Sequence, residues 1–231
     1  MLRNGTLVAL AALLGLTMTA ATSTSHLTVL DATLAAPRAP SRSAADPLRL
    51  VPAPTGNQVR YRVREQLVGH DLPNDAIGVT DDVMGALVIG EDGAVVPSES
   101  RFVVNVTKLK SDRDRRDGYV QRRILDTEKF PTVQLLPTAL HGLPTPLPTS
   151  GEHTFELIGQ LTVDSVTRPT TWQVKANFDG GRVTGTASTG FTFADFGLTQ
   201  PRVRILLSVA DSIHLEYDFN LVQAQSSAAG T

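Results

Sequence analysis

The side chains able to do chemistry are few and dispersed. The five histidines, His26, His70, His141, His153 and His214, form no i,i+2 or i,i+4 pair, and cysteine is absent, so the sequence offers no metal site and no thiol nucleophile. Neither a Gly-x-Ser-x-Gly elbow, a phosphate-cradling Gly-x-x-x-x-Gly-Lys run nor a dinucleotide fingerprint occurs. Acid pairs such as Asp81-Asp82 fall at expected turns, where solvation accounts for them. An enzyme built on this chain would have to use rim carboxylates such as Asp195 or Asp211, and nothing pairs a nucleophile with a base. Asn105-Val106-Thr107 matches a glycosylation acceptor but sits within an expected strand.

One stretch concentrates charge. Residues 101–123 carry eight bases and three acids, a local +5. Its centre, Lys110 to Leu125, lacks strand alternation and has helix starts at Ser111 or Asp112, so a short helical crossover is expected over about 111–125. Such a run serves either as a solvated connection or as a basic lid that meets a polar head group.

The elements that would position these groups are strands. Val59, Tyr61, Val63 and Leu67 alternate with Arg60, Arg62, Arg64 and Gln66. Ile213, Leu215, Tyr217, Phe219 and Leu221 alternate with His214, Glu216, Asp218 and Asn220. Similar runs near 76–80, 83–89, 100–107, 133–141, 154–163, 171–178, 183–193 and 203–208 bring the expected total to eight to ten. Turn residues such as Asp92-Gly93 and Asp179-Gly180-Gly181 separate them, because glycine accepts the positive φ of a tight hairpin. The fold class is therefore all-β, an antiparallel barrel, with a two-sheet sandwich as the alternative.

Composition divides the 231 residues. All twelve aromatics lie after residue 60. Residues 1–21 place Arg3 before an apolar stretch from Leu7 to Leu16 and small residues near Ala21, the order of a secretory signal peptide, with retention as an N-terminal membrane anchor as the alternative. Residues 22–57 include Pro37, Pro40, Pro47, Pro52 and Pro54 and read as a disordered linker; residues 58–222 form the barrel domain; 223–231 read as a disordered tail. The net charge of -2 gives no chain-wide basic field and argues against nucleic acid as a partner.

On the inward parity lies apolar surface without catalytic groups. Phe155, Trp172, Phe178, Phe191, Phe193, Phe196, Tyr217 and Phe219 would supply walls together with Phe102, Val104, Leu157, Leu161, Val174 and Leu215. Tyr119, Ile124 and Phe130 would form a lid. Gly159, Ala176, Gly185 and Ala187 punctuate the same faces where a filled core would want bulk. An eight-stranded barrel either just fills or holds one ligand.

Several separated motifs resemble the YceI-like proteins. The run from Ser100 through Lys108-Leu109, then Asp114 to Asp117, then Thr127-Glu128-Lys129-Phe130-Pro131-Thr132, is similar to their central signature. Leu157 to Val163 followed by Val166-Thr167-Arg168-Pro169, Phe191-Thr192-Phe193 with Asp195-Phe196-Gly197-Leu198, and Val209-Ala210-Asp211 continue the likeness over roughly 58–222. The resemblance implies an exported, lipocalin-like barrel that binds a polyisoprenoid or related amphiphilic lipid with no metal or cofactor. The expected function is non-catalytic sequestration or carriage of such a lipid outside the cytoplasm, secreted or periplasmic. Peripheral membrane contact and a homodimer are both compatible with it. An enzyme on an apolar substrate and a filled surface domain are the alternatives. A chain of about forty carbons at ~0.3 kcal/mol per heavy atom contributes about 12 kcal/mol, roughly nanomolar affinity, so burial alone suffices.

Overall fold

A computed structural model describes residues 47–224. The expected leader (1–21), the first part of the expected linker and residues 225–231 of the expected tail lie outside the described residues. Ten strands follow in order: β1 (Leu48–Pro52), β2 (Gln58–Leu67), β3 (Asn74–Thr80), β4 (Val83–Ile89), β5 (Arg101–Asn105), β6 (Thr132–His141), β7 (Ser150–Val163), β8 (Val166–Asp179), β9 (Arg182–Thr192) and β10 (Leu206–Gln223). One helix, α1 (Asp114–Tyr119), runs on into a wider π-type turn at Val120–Ile124 and occupies the expected crossover.

The strands close into a barrel. From β4 to β10 each pairs antiparallel with the next in sequence. The free edge of β10 then takes two partners end to end: Leu206 to Asp218 face β2, and Leu221 to Gln223 face β1. The strands β3 and β4 are laid end to end in the same way, β3 on β2 and β4 on β1. Ten strands thus make eight staves, and the seam is sealed at the β3 end by two backbone hydrogen bonds between Val79 and Lys110, 2.8 and 2.9 Å. Closure excludes the sandwich alternative.

Alternation decides the inner face. On β8, Trp172, Val174, Ala176 and Phe178 are buried while Thr171, Gln173, Lys175 and Asn177 are exposed. Residues 48–57, expected as linker, instead contribute β1, with Leu50 only 2% exposed. Prolines 47 and 52 bracket this short run and hide it from local patterning. Its stability comes from β4 and β10, both distant along the chain, rather than from its own propensity. The two runs expected at 203–208 and 212–221 form one strand, β10, whose register slips between Val209 and Ile213; residues 203–205 stay in the preceding loop.

Asn57 ties the break between β1 and β2 to β10. Its buried amide donates to the carbonyls of Ala53 (2.8 Å) and Asn220 (3.3 Å), and its oxygen accepts from the Tyr217 hydroxyl (2.7 Å) and the Asn220 amide (3.1 Å). Replacing Asn57 with Ala leaves those groups unpaired in a buried site, which costs about 2–3 kcal/mol. Urea denaturation should show the midpoint falling with the slope unchanged.

Candidate functional site: an apolar barrel interior

The barrel encloses a cavity of about 930 Å³, at the upper end of the ~300–1,000 Å³ range of small-molecule pockets. It runs along the strands, from Leu50, Ile89, Val183 and Leu221 at one end to Leu67, Ala76 and Leu206 at the other. Such a volume excludes a filled domain.

Most expected wall residues meet there. Phe102 and Val104 come from β5, Phe155, Leu157 and Leu161 from β7, and Trp172, Val174 and Phe178 from β8. Phe191 comes from β9, next to its final residue Thr192, Phe193 begins the short turn after it, and Leu215, Tyr217 and Phe219 come from β10. Tyr119 and Ile124 border the cavity from the crossover, as expected of a lid. The rings pack edge to face, Phe102 on Tyr217 at 6.1 Å, and Trp172 donates its indole N–H to the Thr170 hydroxyl at 3.0 Å.

One expected lid residue and one expected wall residue lie elsewhere. Phe130 sits half-buried beneath the Lys129 ammonium, 4.9 Å above its ring, outside the lining. Phe196, 2% exposed, packs on the far side of Phe191 at 4.5 Å, because Thr192 and Asp195 form a reciprocal capping box that turns the chain there. The small residues also have another role. Only Ala187 borders the cavity. A Cβ on Gly159 would lie 2.8 Å from the Leu136 carbonyl oxygen, and one on Gly185 would meet the Lys175 carbonyl and lie 2.9 Å from Phe219 Cζ. These glycines let neighbouring staves approach; they do not make room for a ligand.

Charge is confined almost wholly to one end. Glu65 stands at an inward position of β2, between Val63 and Leu67, and is 7% exposed. The α1 guanidinium of Arg116 meets it at 2.6 Å and also pairs with Asp112; Asn74 donates to the same Glu65 oxygen at 3.3 Å. Arg113, Asp114, Arg115 and Arg204 complete this charged mouth. Beneath it the Tyr61 ring lies flat over Gly78, where a Cβ would be 2.7 Å from Cζ and 2.9 Å from the hydroxyl. Burial raises the Tyr61 phenol to about 12, so it stays a neutral hydroxyl. Burial likewise pushes the Tyr217 phenol upward.

The start of α1 is held by Asp117. Its carboxylate accepts from the Ser111 amide at 2.8 Å and the Ser111 hydroxyl at 2.6 Å, with the Lys110 ammonium 3.4 Å away. Burial alone would raise this carboxyl; the Ser111 hydrogen bonds and Lys110 outweigh it and hold it below its ordinary value of 3.8.

Glu65 and Tyr61 are the mouth residues that the sequence reading passed over. The signal for Glu65 is parity, a carboxylate on the apolar side of an otherwise clean alternation; Tyr61 carries none, because an inward tyrosine in that alternation reads as core. Neither rim acid proposed for an enzyme reaches the cavity. Asp195 is engaged by the Thr192 amide and hydroxyl at 2.7 and 2.8 Å, and Asp211 is exposed on β10. The glycosylation-like Asn105 caps the following turn through Thr107 and donates to Asp82 at 3.0 Å. No cluster of metal-ligating side chains is found among the described residues.

A closed antiparallel barrel around an apolar lumen with one charged mouth defines a lipocalin-like barrel. The chain belongs to the YceI-like domain family, whose model matches residues 53–221. Among solved structures it is similar to a polyisoprenoid binding domain from Saccharophagus degradans implicated in plant cell wall breakdown (TM-score 0.59, 11% identity, 77% of this chain and 99% of that one). It is also similar to Burkholderia cenocepacia BcnA (0.52, 14%, 73% and 96%) and to the Campylobacter jejuni YCEI protein (0.50, 14%, 68% and 91%). At these identities the likeness is one of fold. No curated protein matches the chain. Among the described residues no helix is long and apolar enough to cross a membrane.

The depressed Asp117 carboxyl has a defined pH consequence. Its contribution to holding α1 is complete above the ordinary carboxylate value and is lost as pH falls through the lower folded value. Hydrogen exchange should show the Ser111 amide losing protection in that acid window. Asp117→Asn should weaken the same amide at neutral pH by about 1 kcal/mol and remove the acid dependence.

Proposed function

We propose that the protein sequesters or carries one long apolar chain, an isoprenoid or related amphiphilic lipid, in the extracytoplasmic space, without catalysing a reaction on it. The observation that carries this reading is the division of the cavity lining, apolar along the staves and charged at the α1 mouth. A hydrocarbon tail in the lumen leaves water for a surface it cannot hydrogen-bond to, gaining about 0.8 kcal/mol per methylene. A polar head group would then lie against Arg113, Arg115 and Arg116 with Glu65 and the Tyr61 hydroxyl. The polyisoprenoid-binding description of the Saccharophagus degradans domain supports the ligand class. The signal-like order of residues 1–21 supports export. Phe102, Phe155, Leu157, Trp172, Val174, Phe178, Phe191, Phe193, Tyr217 and Phe219 are the proposed tail-binding residues, and Tyr119 and Ile124 the underside of the lid.

Organic extraction of the purified protein followed by mass spectrometry should recover a stoichiometric long-chain lipid, and added prenyl lipids should change the emission of Trp172, the sole tryptophan. Ala187→Phe pushes a ring into the lumen from β9 and should weaken lipid binding by about tenfold or more with little loss of stability, since the new volume enters open space. An empty barrel whose Trp172 emission ignores prenyl lipids would falsify the reading.

A further inference from the structure

Large apolar side chains are well hidden over most of this surface. Among the described residues Val68, Leu72, Met84, Ile205 and Leu207 are the exceptions, 56 to 77% exposed, and all but Met84 lie in or beside two neighbouring loops. One loop is the β2–β3 turn, which carries Val68 and Leu72. The other is the Pro201-Arg202-Val203-Arg204-Ile205 segment, with Leu207 just inside β10. They share an edge: the Val68 amide donates to the Ile205 carbonyl at 2.9 Å, and Leu67 faces Leu206 in the β2–β10 register. Singly exposed apolar residues need no explanation, but four grouped at one rim do.

The rim is the charged mouth of the cavity, since Leu67, Arg204 and Leu206 line both. Its charges are not balanced locally. Arg64 is paired with Asp75, Arg116 with Glu65 and Asp112, and Lys110 with Asp114 and Asp117. Arg115, Arg202 and Arg204 have no carboxylate within 4 Å among the described residues, and Asp71 is the one acid of the two loops. Apolar side chains projecting beside unpaired guanidiniums are the composition of a surface that enters the boundary of an anionic bilayer.

We propose that these two loops dock the mouth of the barrel onto an anionic membrane surface, Val68, Leu72, Ile205 and Leu207 entering the head-group boundary and Arg202 and Arg204 meeting lipid phosphates. The proposal rests on the lipid-binding reading and gives it a route: with the mouth against the bilayer, an apolar chain passes from acyl region to lumen without being exposed to water along its length. Charge complementarity selects a lipid surface over a second copy of the chain, whose equivalent patch carries the same unpaired arginines.

Co-sedimentation with phosphatidylcholine vesicles, with and without phosphatidylglycerol, tests it. The protein should pellet with the phosphatidylglycerol vesicles and lose much of that binding as salt rises. A Leu72→Ser, Leu207→Ser double variant should reduce pelleting about tenfold, and Arg202→Gln should reduce only the part that depends on phosphatidylglycerol. Lipid content of the same variants, measured by extraction, keeps the two readings apart. Variants that no longer pellet yet still hold extractable lipid support docking. Patch-dependent pelleting by a barrel that never contains lipid supports docking and overturns the cavity reading. Wild-type protein that ignores phosphatidylglycerol vesicles, variants that pellet unchanged, or variants whose only change is loss of a dimer on sedimentation equilibrium overturn docking.

Discussion

Closure of the barrel on β10 is the constraint from which the rest follows. An open sheet of this length would leave an unpaired edge and a wet inner face. By pairing with β9 on one side and with β2 and β1 in succession on the other, β10 closes the sheet, leaving only the outer side of β3 to the Val79–Lys110 bridge, and turns its alternating apolar face inward. The inner face then has nowhere to expose itself, and its side chains need not meet across the centre. That is how the chain holds a cavity of about 930 Å³ and still has a contiguous core of Leu50, Phe102, Leu161, Trp172 and Phe219 packed around it.

The same closure separates the chemistry of the two ends. At the β1 end the seam is made by apolar residues and by Asn57, whose amide satisfies the backbone where the stave is broken. At the β2–β3 end the seam runs into the crossover, and polar groups take over. Glu65 and Arg116 form a buried pair there, and such a pair adds little net stability because desolvating both ions offsets their attraction. Its effect is positional. Moving α1 away would leave Glu65 facing an apolar lumen without its cation, so the crossover has one preferred seat, while Tyr119 and Ile124 present an apolar underside to the cavity.

Strand parity was legible because one buried face forces period two, and it placed Trp172, Val174, Phe178, Leu215, Tyr217 and Phe219 on the lumen side correctly. What escaped was set by distant partners. The strand β1 has four residues between Pro47 and its own closing Pro52, and is a strand because Leu87 to Ile89 lie opposite it on one side and Leu221 to Gln223 on the other. The bulge between Val209 and Ile213 made one strand read as two. Phe196 has lumen-facing chemistry but follows a capping box that rotates it behind Phe191, and Phe130 lies in a loop where parity has no meaning. The glycines were read as missing volume when backbone proximity across staves is what requires them. Glu65 was visible as a break in pattern, yet its meaning depends on Arg116, fifty-one residues further on.

The position of the charged end bears on how a lumen this apolar can exchange its contents. The walls are laddered on both sides except along the outer side of β3, which only the Val79–Lys110 bridge closes, so a large opening elsewhere would break many ladder hydrogen bonds at once. The mouth is bounded by shorter-range structure: a six-residue helix, the β2–β3 turn and the loop before β10, held by ion pairs and a few backbone contacts such as Val68 to Ile205. The exposed rim pairs, Lys110 with Asp114 and Arg113 with Asp112, separate at little net cost, whereas the buried Glu65–Arg116 pair keeps α1 in its seat and the wall ladders hold the staves. Exchange is therefore directed to the α1 end by the distribution of bonding as much as by shape. On the proposed lipid-binding reading, a cation-rich rim there would favour ligands that present an anionic or strongly polar head after the tail has entered, and would orient an amphiphile with its tail toward Leu50 and Leu221 and its head toward Arg113 and Arg116.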